Sequence, residues 1–232
     1  MTQPALLIVG GTRGIGKEIA RRYAGQGWSV VLTGRDDSAP KSVATELGGD
    51  TRGIILELSE PELVADALAD VGAVDHLVLA AIARDTNTLD DYNIASARHL
   101  VTMKLLGFTA VVGSMRDRLA EDGSVVMFGG RAKDRPYPGG MTVATVNAAI
   151  SGMVTALALQ LAPRRVNAIH PGIVADSPYW SENQEFCEQV RQATPTGRNV
   201  TVEDIVDGVD FLIRNRSVNG LDLYIDGGWL LP

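Results

Sequence analysis

The stretch "LLIVGGTRGIGKEIA", residues 6–20, decides the fold of this chain. An apolar run ends at Val9, Gly10, Gly14 and Gly16 follow, and a helical pattern then begins. Glycine is required where a backbone approaches a phosphate closely and where a helix packs tightly on a strand. A helix N-terminus offers free N–H groups and the positive end of a dipole. The stretch therefore predicts a strand–turn–helix unit that binds the pyrophosphate of a dinucleotide.

The rest of the chain repeats this alternation of short apolar runs and helical patterns, with helices predicted at 16–27 and 61–72. Such alternation predicts right-handed crossovers and a parallel sheet that is covered on both faces. We therefore expect one doubly wound α/β domain over residues 1–232, a three-layer sandwich. The runs that we interpret as its seven strands are 5–9, 29–33, 53–58, 76–81, 124–128, 165–169 and 221–225.

The composition fits a single globular domain, with 232 residues of which 45% are hydrophobic and 21% charged. The formal net charge of −7 leaves no basic surface for nucleic acid. The one cysteine, Cys187, excludes an internal disulfide and fits a reducing compartment. The first residues lack the charged flank and apolar length of a signal peptide, so we expect a cytoplasmic protein.

Residues 139–163 contain no charged side chain and approach the length that spans a bilayer. The segment is nevertheless rich in alanine, and a helix that is mildly apolar all round is typical of burial on both faces. We expect this helix to pack between the sheet and a partner subunit, and we expect no membrane. The polar residues that support this interpretation are Thr142, Thr145, Asn147, Ser151, Thr155 and Gln160.

The end of the second predicted strand indicates which dinucleotide is bound. An acidic residue there would bind the ribose hydroxyls of NAD, but the chain has Gly34 and Arg35 at this position. With Arg13 in the glycine loop, two guanidinium groups suit the 2′-phosphate of NADP(H). The alternative is that Arg35 pairs with Asp36 or Asp37, which follow it directly.

Three later stretches extend the pattern: "RVNAIHPGIV" (165–174), "TPTGRNVTVEDIVDGVDFLI" (194–213) and "VNGLDLYIDGGW" (218–229). With the glycine loop, they resemble the short-chain dehydrogenase/reductase family over nearly the whole chain. The resemblance implies a Rossmann-like seven-stranded sheet of order 3-2-1-4-5-6-7 that binds NADP(H) and a small-molecule substrate. It also implies a homodimer or homotetramer, with the helix of 142–162 in an interface.

The motif and the resemblance together give the predicted cofactor-binding residues. They comprise the glycine loop, the ends of the second, third and fourth strands, one residue of the long helix and the proline-glycine turn. These residues are Gly10, Thr12, Arg13, Gly14, Ile15, Gly16, Gly34, Arg35, Glu57, Leu58, Ala80, Ala81, Asn147, Pro171, Gly172 and Val174.

The chain departs from the family at the family's catalytic positions. The family's catalytic residues are a tyrosine acid/base, a lysine four residues later, a strand-end serine and an asparagine. Aligning the fifth strand with "GSVVMFGG" (123–130) puts Gly130 at the serine, Val143 at the tyrosine and Asn147 at the lysine. Lys104 falls at the asparagine. The chain is therefore identified as a divergent member without the serine, tyrosine and lysine. Asp176 replaces a family threonine, which predicts a carboxylate near the pyrophosphate or the carboxamide.

Lys104, Asn147 and Tyr137 are the predicted catalytic residues. Lys104 could hold a carbonyl oxygen or donate a proton if burial lowers its pKa, with Asn147 bonding the ribose; the alternative is a surface or interface lysine. Tyr137 could pair with Lys133, or the loop around it could be a solvated turn. Arg131 and His170 are second-line candidates.

Two functions fit these residues. The first is an atypical NADP(H)-dependent oxidoreductase that transfers hydride to or from a small carbonyl, quinone or imine-like substrate. This function is compatible with the missing catalytic residues, because hydride transfer needs mainly a bound nicotinamide and an oriented acceptor. The second is a dinucleotide-binding protein without a redox step, either an isomerase or cyclase or an NADP(H)-sensing regulator. The irregular segment 173–200 is expected to cover the ligand cleft or to form an ordinary surface loop.

Overall fold

The computed structural model of the protein describes residues 3–231. Its centre is one sheet of seven strands, which lie in the order 3-2-1-4-5-6-7 when numbered along the chain, and every neighbouring pair is parallel. The predicted strand order is confirmed. The strands are β1 (Ala5–Val9), β2 (Ser29–Gly34), β3 (Thr51–Ile55), β4 (Val74–Leu79), β5 (Leu119–Phe128), β6 (Arg165–Pro171) and β7 (Asp222–Ile225).

Helices cover both faces of the sheet. One side of the core joins residues of the helices 14–25, 39–47 and 202–214 to the sheet, and the other joins residues of the helices from 94 to 161. The three-layer α/β sandwich is therefore confirmed. The α-helices are α1 (Gly14–Gly25), α2 (Ala39–Leu47), α3 (Val64–Ala67), α4 (Ile94–Val101), α5 (Phe108–Met115), α6 (Met141–Gln160), α7 (Gln184–Ala193) and α8 (Val202–Arg214).

The strand order places a cleft at the carboxyl end of β1. β1 pairs with β2 on one side and with β4 on the other, so that Val9 lies between Thr33 and Leu79. The chain reverses its direction of winding at this point, and ligands of open α/β sheets bind outside the carboxyl ends of the strands at such a reversal. The predicted cofactor and catalytic residues come from the carboxyl ends of β1 to β6 and from the loops and helices that follow them.

The strands predicted at 76–81 and 124–128 begin earlier in the structure, at Val74 and Leu119, and three further predicted elements also differ. The strand predicted at 53–58 lies at Thr51–Ile55, because the buried Leu56 and Leu58 belong to the following loop and extend the apolar run past the strand. The helix predicted at 61–72 is only a 3-10 turn at Pro61–Leu63 followed by α3. The segment 173–200 is not irregular throughout, because it contains the ten-residue helix α7.

α6 and the stretch between α4 and α5 bear on the site. By length and composition, α6 is the one helix of residues 3–231 that could cross a membrane. Its sheet side is buried, whereas Leu159 on the other side is 78% exposed. The helix from α4 to α5 is continuous through a π-helical stretch, Thr102–Gly107. Single π turns inside α-helices occur frequently at functional sites.

Candidate active site

The glycine loop after β1 leaves a cradle that side chains would fill. Gly10 has a φ of +87°, and a Cβ on it would lie 2.6 Å from the backbone of Ala81. A Cβ on Gly16 would collide with the carbonyl oxygen of Gly10. The N-cap residue of α1, Arg13, makes no side-chain capping bond. The N–H groups of the first turn therefore have no side-chain cap, as anion binding requires.

The segment after β6 lies over this loop. The ring of Pro178 would be 3.6 Å from a Cβ on Gly14, so the two chains are in close contact. The Oδ1 atom of Asp176 accepts a hydrogen bond of 2.8 Å from the N–H of Val202 at the start of α8. Asp176 therefore stabilises a helix N-terminus, and its position near the pyrophosphate or the carboxamide stays a prediction.

The end of β2 presents one free arginine side chain, that of Arg35. Gly34 packs against Thr12, whose Oγ1 atom would be 3.1 Å from a Cβ on Gly34. Arg35 is exposed and has no carboxylate within 4.0 Å among residues 3–231. Asp36 instead accepts hydrogen bonds from the N–H groups of Ser38 and Ala39. The alternative in which Arg35 is paired with its neighbouring aspartates is therefore not what the structure shows.

Glu57 and Leu58 follow β3 on the same edge. The Oε1 atom of Glu57 accepts hydrogen bonds of 2.8 and 2.7 Å from the N–H and hydroxyl of Ser59. Burial acts to raise the pKa of Glu57, but these two bonds and the charge of Arg35 lower it overall. Leu58 is buried, and its carbonyl contacts Gly107 closely enough to leave no room for a Cβ there. This contact joins the end of β3 to the π-helical stretch.

Lys104 is buried in the π-helical stretch and is only 2% exposed. Its Nζ atom donates a hydrogen bond of 3.3 Å to the carbonyl oxygen of Ala81 and lies 4.9 Å from the centre of the Phe108 ring. Burial, with a further contribution from the charge of Arg84, lowers the pKa of Lys104 to about 7. The alternative of a surface lysine is therefore wrong. Near neutral pH the amine exists in both protonation states, which suits proton transfer.

Gly130 and Asn147 are neighbours in space. A Cβ on Gly130 would lie 2.9 Å from the Nδ2 atom of Asn147. Asn147 is 8% exposed, and its amide makes no hydrogen bond within the described chain. Val143 lies one turn earlier on α6 and packs into the core. The amide of Asn147 is therefore the polar group that α6 presents beside the end of β5.

The short turn after Gly130 is held by His170, which is fully buried on β6. The N–H of Gly130 donates to Nδ1 of His170 at 3.2 Å, so the proton of the neutral ring lies on Nε2, 3.0 Å from Asp222. Burial lowers the pKa of His170. His170 therefore positions the backbone of Gly130. Arg131, the other second-line candidate, is paired with Asp226 at 2.8 Å.

Tyr137 is 46% exposed, and burial raises the pKa of its hydroxyl, as does the nearby Tyr179. The hypothesis of a Tyr137–Lys133 pair is wrong. Lys133 donates a hydrogen bond of 2.9 Å to the hydroxyl of Tyr224 and a second one to Asp134. These partners hold the ammonium group away from Tyr137, whose ring packs instead on Gly140.

Small residues line the remaining edge of the cleft. Ala80 and Ala81 follow β4 and are half-buried, with the N–H of Ala80 bonded to the carbonyl of Val9. Gly172 follows Pro171 and contacts Asp226, whose Cβ would be 2.9 Å from a Cβ on the glycine. These positions leave space between the ends of β1, β4 and β6, where the resemblance implies the nicotinamide.

The loop after β4 also contributes to the cleft, although none of its residues was among the predicted site residues. Asn87 is 1% exposed, accepts a bond of 2.8 Å from the N–H of Asn93 and donates one of 3.2 Å to the hydroxyl of Thr142. The guanidinium of Arg84 lies 3.8 Å above the ring of Tyr179. The loop is thus tied to α4, to α6 and to the segment after β6. The sequence of a polar loop has no periodic pattern from which such contacts could be predicted. The one available signal was the charged pair "RD" (84–85), which follows the fourth strand closely.

Comparisons with known proteins agree with this architecture. Residues 9–230 match the family model described as enoyl-(acyl carrier protein) reductase. The 3-oxoacyl-(acyl-carrier-protein) reductase FabG of Aquifex aeolicus is 28% identical, over 96% of this chain and 95% of that protein. Carbonyl reductase family member 4 of Danio rerio is 27% identical, over 96% of each chain.

Solved structures give the same result. A short-chain dehydrogenase/reductase from Brucella melitensis superposes with a TM-score of 0.91, at 25% identity, over 99% of this chain and 97% of that one. The glycine cradle, the order of the seven strands and the match over nearly the whole length lead to one conclusion. The chain belongs to the short-chain dehydrogenase/reductase family.

Proposed function

We propose that the protein is an NADP(H)-dependent oxidoreductase that transfers hydride to or from a small carbonyl, quinone or imine-like compound through a non-standard site. Two of the similar proteins are named as reductases of 3-oxoacyl groups and of carbonyls, which supports carbonyl chemistry. The observation that carries the proposal is Lys104, a buried amine beside the carboxyl end of β4 with a pKa of about 7.

The residues present fit the cofactor. The glycine cradle and the uncapped start of α1 suit a pyrophosphate, since a Cβ on Gly10 or Gly16 would fill the space. Arg13 and Arg35 are exposed, and Arg35 has no acidic partner among the described residues, which favours a 2′-phosphate over a free ribose hydroxyl. When bound, the nicotinamide supplies or accepts the hydride.

The alignment with the family positions indicates which residues stand where the family has its proton-transfer residues. Gly130, Val143 and Asn147 stand at the serine, tyrosine and lysine positions, and none of the three titrates. Lys104 then holds the substrate oxygen by hydrogen bonds and transfers its proton to it in the direction of reduction. The amide of Asn147, which has no partner within the described chain, bonds a ribose hydroxyl of the cofactor. Tyr137, at the mouth of the cleft, contacts the substrate.

The competing function is dinucleotide binding without a redox step, and it is favoured by the absence of an ionisable group at Gly130, Val143 and Asn147. The test is to incubate the protein with NADPH and a panel of carbonyls, quinones and imines, and to follow the loss of NADPH absorbance. Turnover that falls at least a hundredfold in Lys104→Met supports the oxidoreductase. Binding of NADPH without turnover over the whole panel supports the regulator, and no binding of either dinucleotide contradicts both.

We further propose a cytoplasmic homodimer or homotetramer that binds neither nucleic acid nor a membrane. Large apolar side chains on α4, on the π-helical stretch and on α6 are exposed in the single chain, among them Ile94 (63%), Leu106 (56%) and Leu159 (78%). Apolar side chains on neighbouring helices are typical of a subunit interface. Light scattering of the purified protein measures the mass, and a monomer would contradict this part of the proposal.

A further inference from the structure

We propose that Arg84 and Lys104 form an anion-binding pair in the substrate cleft, so that the preferred substrate carries a carboxylate beside its carbonyl group, an oxo acid. The inference rests on the proposed function and narrows its substrate class. Neither the family match nor the names of the similar proteins assigns a role to either side chain.

The guanidinium of Arg84 is held in place but is not neutralised. It stacks 3.8 Å above the ring of Tyr179, which fixes its plane, and its side chain remains open to solvent. No carboxylate lies within 4.0 Å of it among residues 3–231. The adjacent acid, Asp85, bonds to the amide of Asn87 instead. Arg84 therefore keeps its full set of donors for a ligand.

Lys104 is the second cation, and it too has no acidic partner within the described chain. It is 2% exposed, and the carbonyl oxygen of Ala81 accepts one of its three donors. Ala81, whose carbonyl oxygen lies 3.3 Å from the Nζ atom of Lys104, precedes Arg84 by three residues in the same loop, so both cations lie at the carboxyl end of β4. The charge of Arg84 adds to burial in lowering the pKa of Lys104. A buried cation beside a second cation is unfavourable unless a ligand supplies the negative charge.

The loop that carries Arg84 is preorganised. The N–H of Asn87 donates to the carbonyl of Gly139 at 2.8 Å, and the side chain of Asn87 bonds to Asn93 and Thr142. These contacts fix the loop to α4 and to the start of α6, so little ordering cost remains when a ligand binds. In a chain of net charge −7, a site with two cations and no paired acid selects an anion.

Binding of the substrate carboxylate also changes the protonation of the Lys104 amine. A bound anion favours the charged form of Lys104, so binding draws a proton onto the amine when the pH is above its free pKa. During reduction a bound NADPH would supply the hydride to the carbonyl carbon and become NADP+, and the ammonium of Lys104 gives its proton to the oxygen. The product is a hydroxy acid, and the neutral amine regains a proton from water.

The experiment compares benzoylformate with its methyl ester, which has the same ring and carbonyl without the charge. Binding is measured by titration calorimetry at about pH 8, with and without NADP+, in two buffers of different ionisation enthalpy. We expect the acid to bind at least tenfold more tightly than the ester, with uptake of a proton. Arg84→Gln should abolish this preference, and Lys104→Met should abolish the proton uptake.

Arg135→Gln is the matched control, since Arg135 stacks on Trp229 at 4.9 Å outside the cleft and should leave both ligands unaffected. Equal binding of acid and ester would overturn the proposal. It would also be overturned if Arg84→Gln weakened NADPH binding alone, because Arg84 would then serve the cofactor. NADPH turnover with the neutral ester is measured separately. If that turnover is present without a preference for the acid, the inference fails while the proposed function stands.

Discussion

The amide of Asn147 stands against the backbone of Gly130, and a Cβ on the glycine would lie 2.9 Å from the Nδ2 atom. A methyl group at position 130 must therefore displace the amide that we assign to the cofactor ribose. We expect Gly130→Ala to weaken NADPH binding about tenfold, which is the value of one hydrogen bond between neutral groups. Fluorescence titration with NADPH measures the change.

Gly113→Ala serves as its control, since Gly113 lies on α5 and a Cβ there meets no atom within 4 Å. Affinity in this variant should be unchanged. The decisive comparison is in an Asn147→Ala background, where Gly130→Ala should have little further effect. A full second loss of affinity in the double variant would show that the glycine acts independently of the amide.

The pH dependence of reduction should report the amine of Lys104. Since burial lowers its pKa to about 7 and the donor must be protonated, kcat/KM for reduction should be constant at acid pH. Above about pH 7 it should fall tenfold for each further pH unit. Lys104→Met should be slower by a factor of at least 100 and should show no such fall. A wild-type profile without a break near neutral pH would contradict the assignment.

Lys104 should also lower the free energy of unfolding. Lys104 has a lower pKa in the folded protein than the ordinary value of 10.5, so the unfolded chain binds the extra proton between about pH 7 and 10.5. The loss of folding stability caused by burying the Lys104 ammonium is therefore full below pH 7 and disappears as the pH rises to 10.5. We expect Lys104→Met to raise the free energy of unfolding at about pH 6 by at most about 5 kcal/mol. Urea denaturation at about pH 6 and pH 9.5 measures it, and an equal gain at both pH values would be inconsistent with a titrating amine.

Arg35 should determine which dinucleotide is preferred. Its side chain is exposed and makes no ion pair in the described residues, so its removal breaks no hydrogen bond or ion pair there. We expect Arg35→Ser to weaken NADPH binding by 10- to 100-fold, the range of a charge-assisted hydrogen bond, and to leave NADH unchanged. Arg52→Ser, on the neighbouring β3, is the control. An equal loss for both dinucleotides would mean that Arg35 contacts another part of the cofactor.

Much of the fold could be predicted because two signals were local. The apolar run 5–9 coincides with β1, and the run 165–169 lies within β6, since both strands are buried on both faces. The predicted length of α3 was too great because Leu68 and Val71 continue the apolar spacing after the helix has ended. Apolar spacing reports burial, and burial alone does not distinguish a helix from a packed loop.

The site could be predicted only in part. Positions along the chain located Lys104 and Asn147, but their burial could not be predicted, since lysine is rarely buried without a partner. The roles of Asn87 and Arg84 depend on contacts across more than 50 residues of chain, as in the bond from Asn87 to Thr142. Such contacts leave no pattern in the sequence.

The π-helical stretch Thr102–Gly107 has a consequence for how the chain tolerates change in length. A π turn is wider than an α turn and accommodates one additional residue, so a deletion of one residue here would restore the regular α period. Side chains beyond the deletion would keep their direction relative to α4, because the wide turn had absorbed the additional residue locally. Buried residues of α5 such as Phe108 and Val111 would therefore still face the core. The additional residue thus affects the direction of the Lys104 amine without changing the face that α5 presents to the sheet.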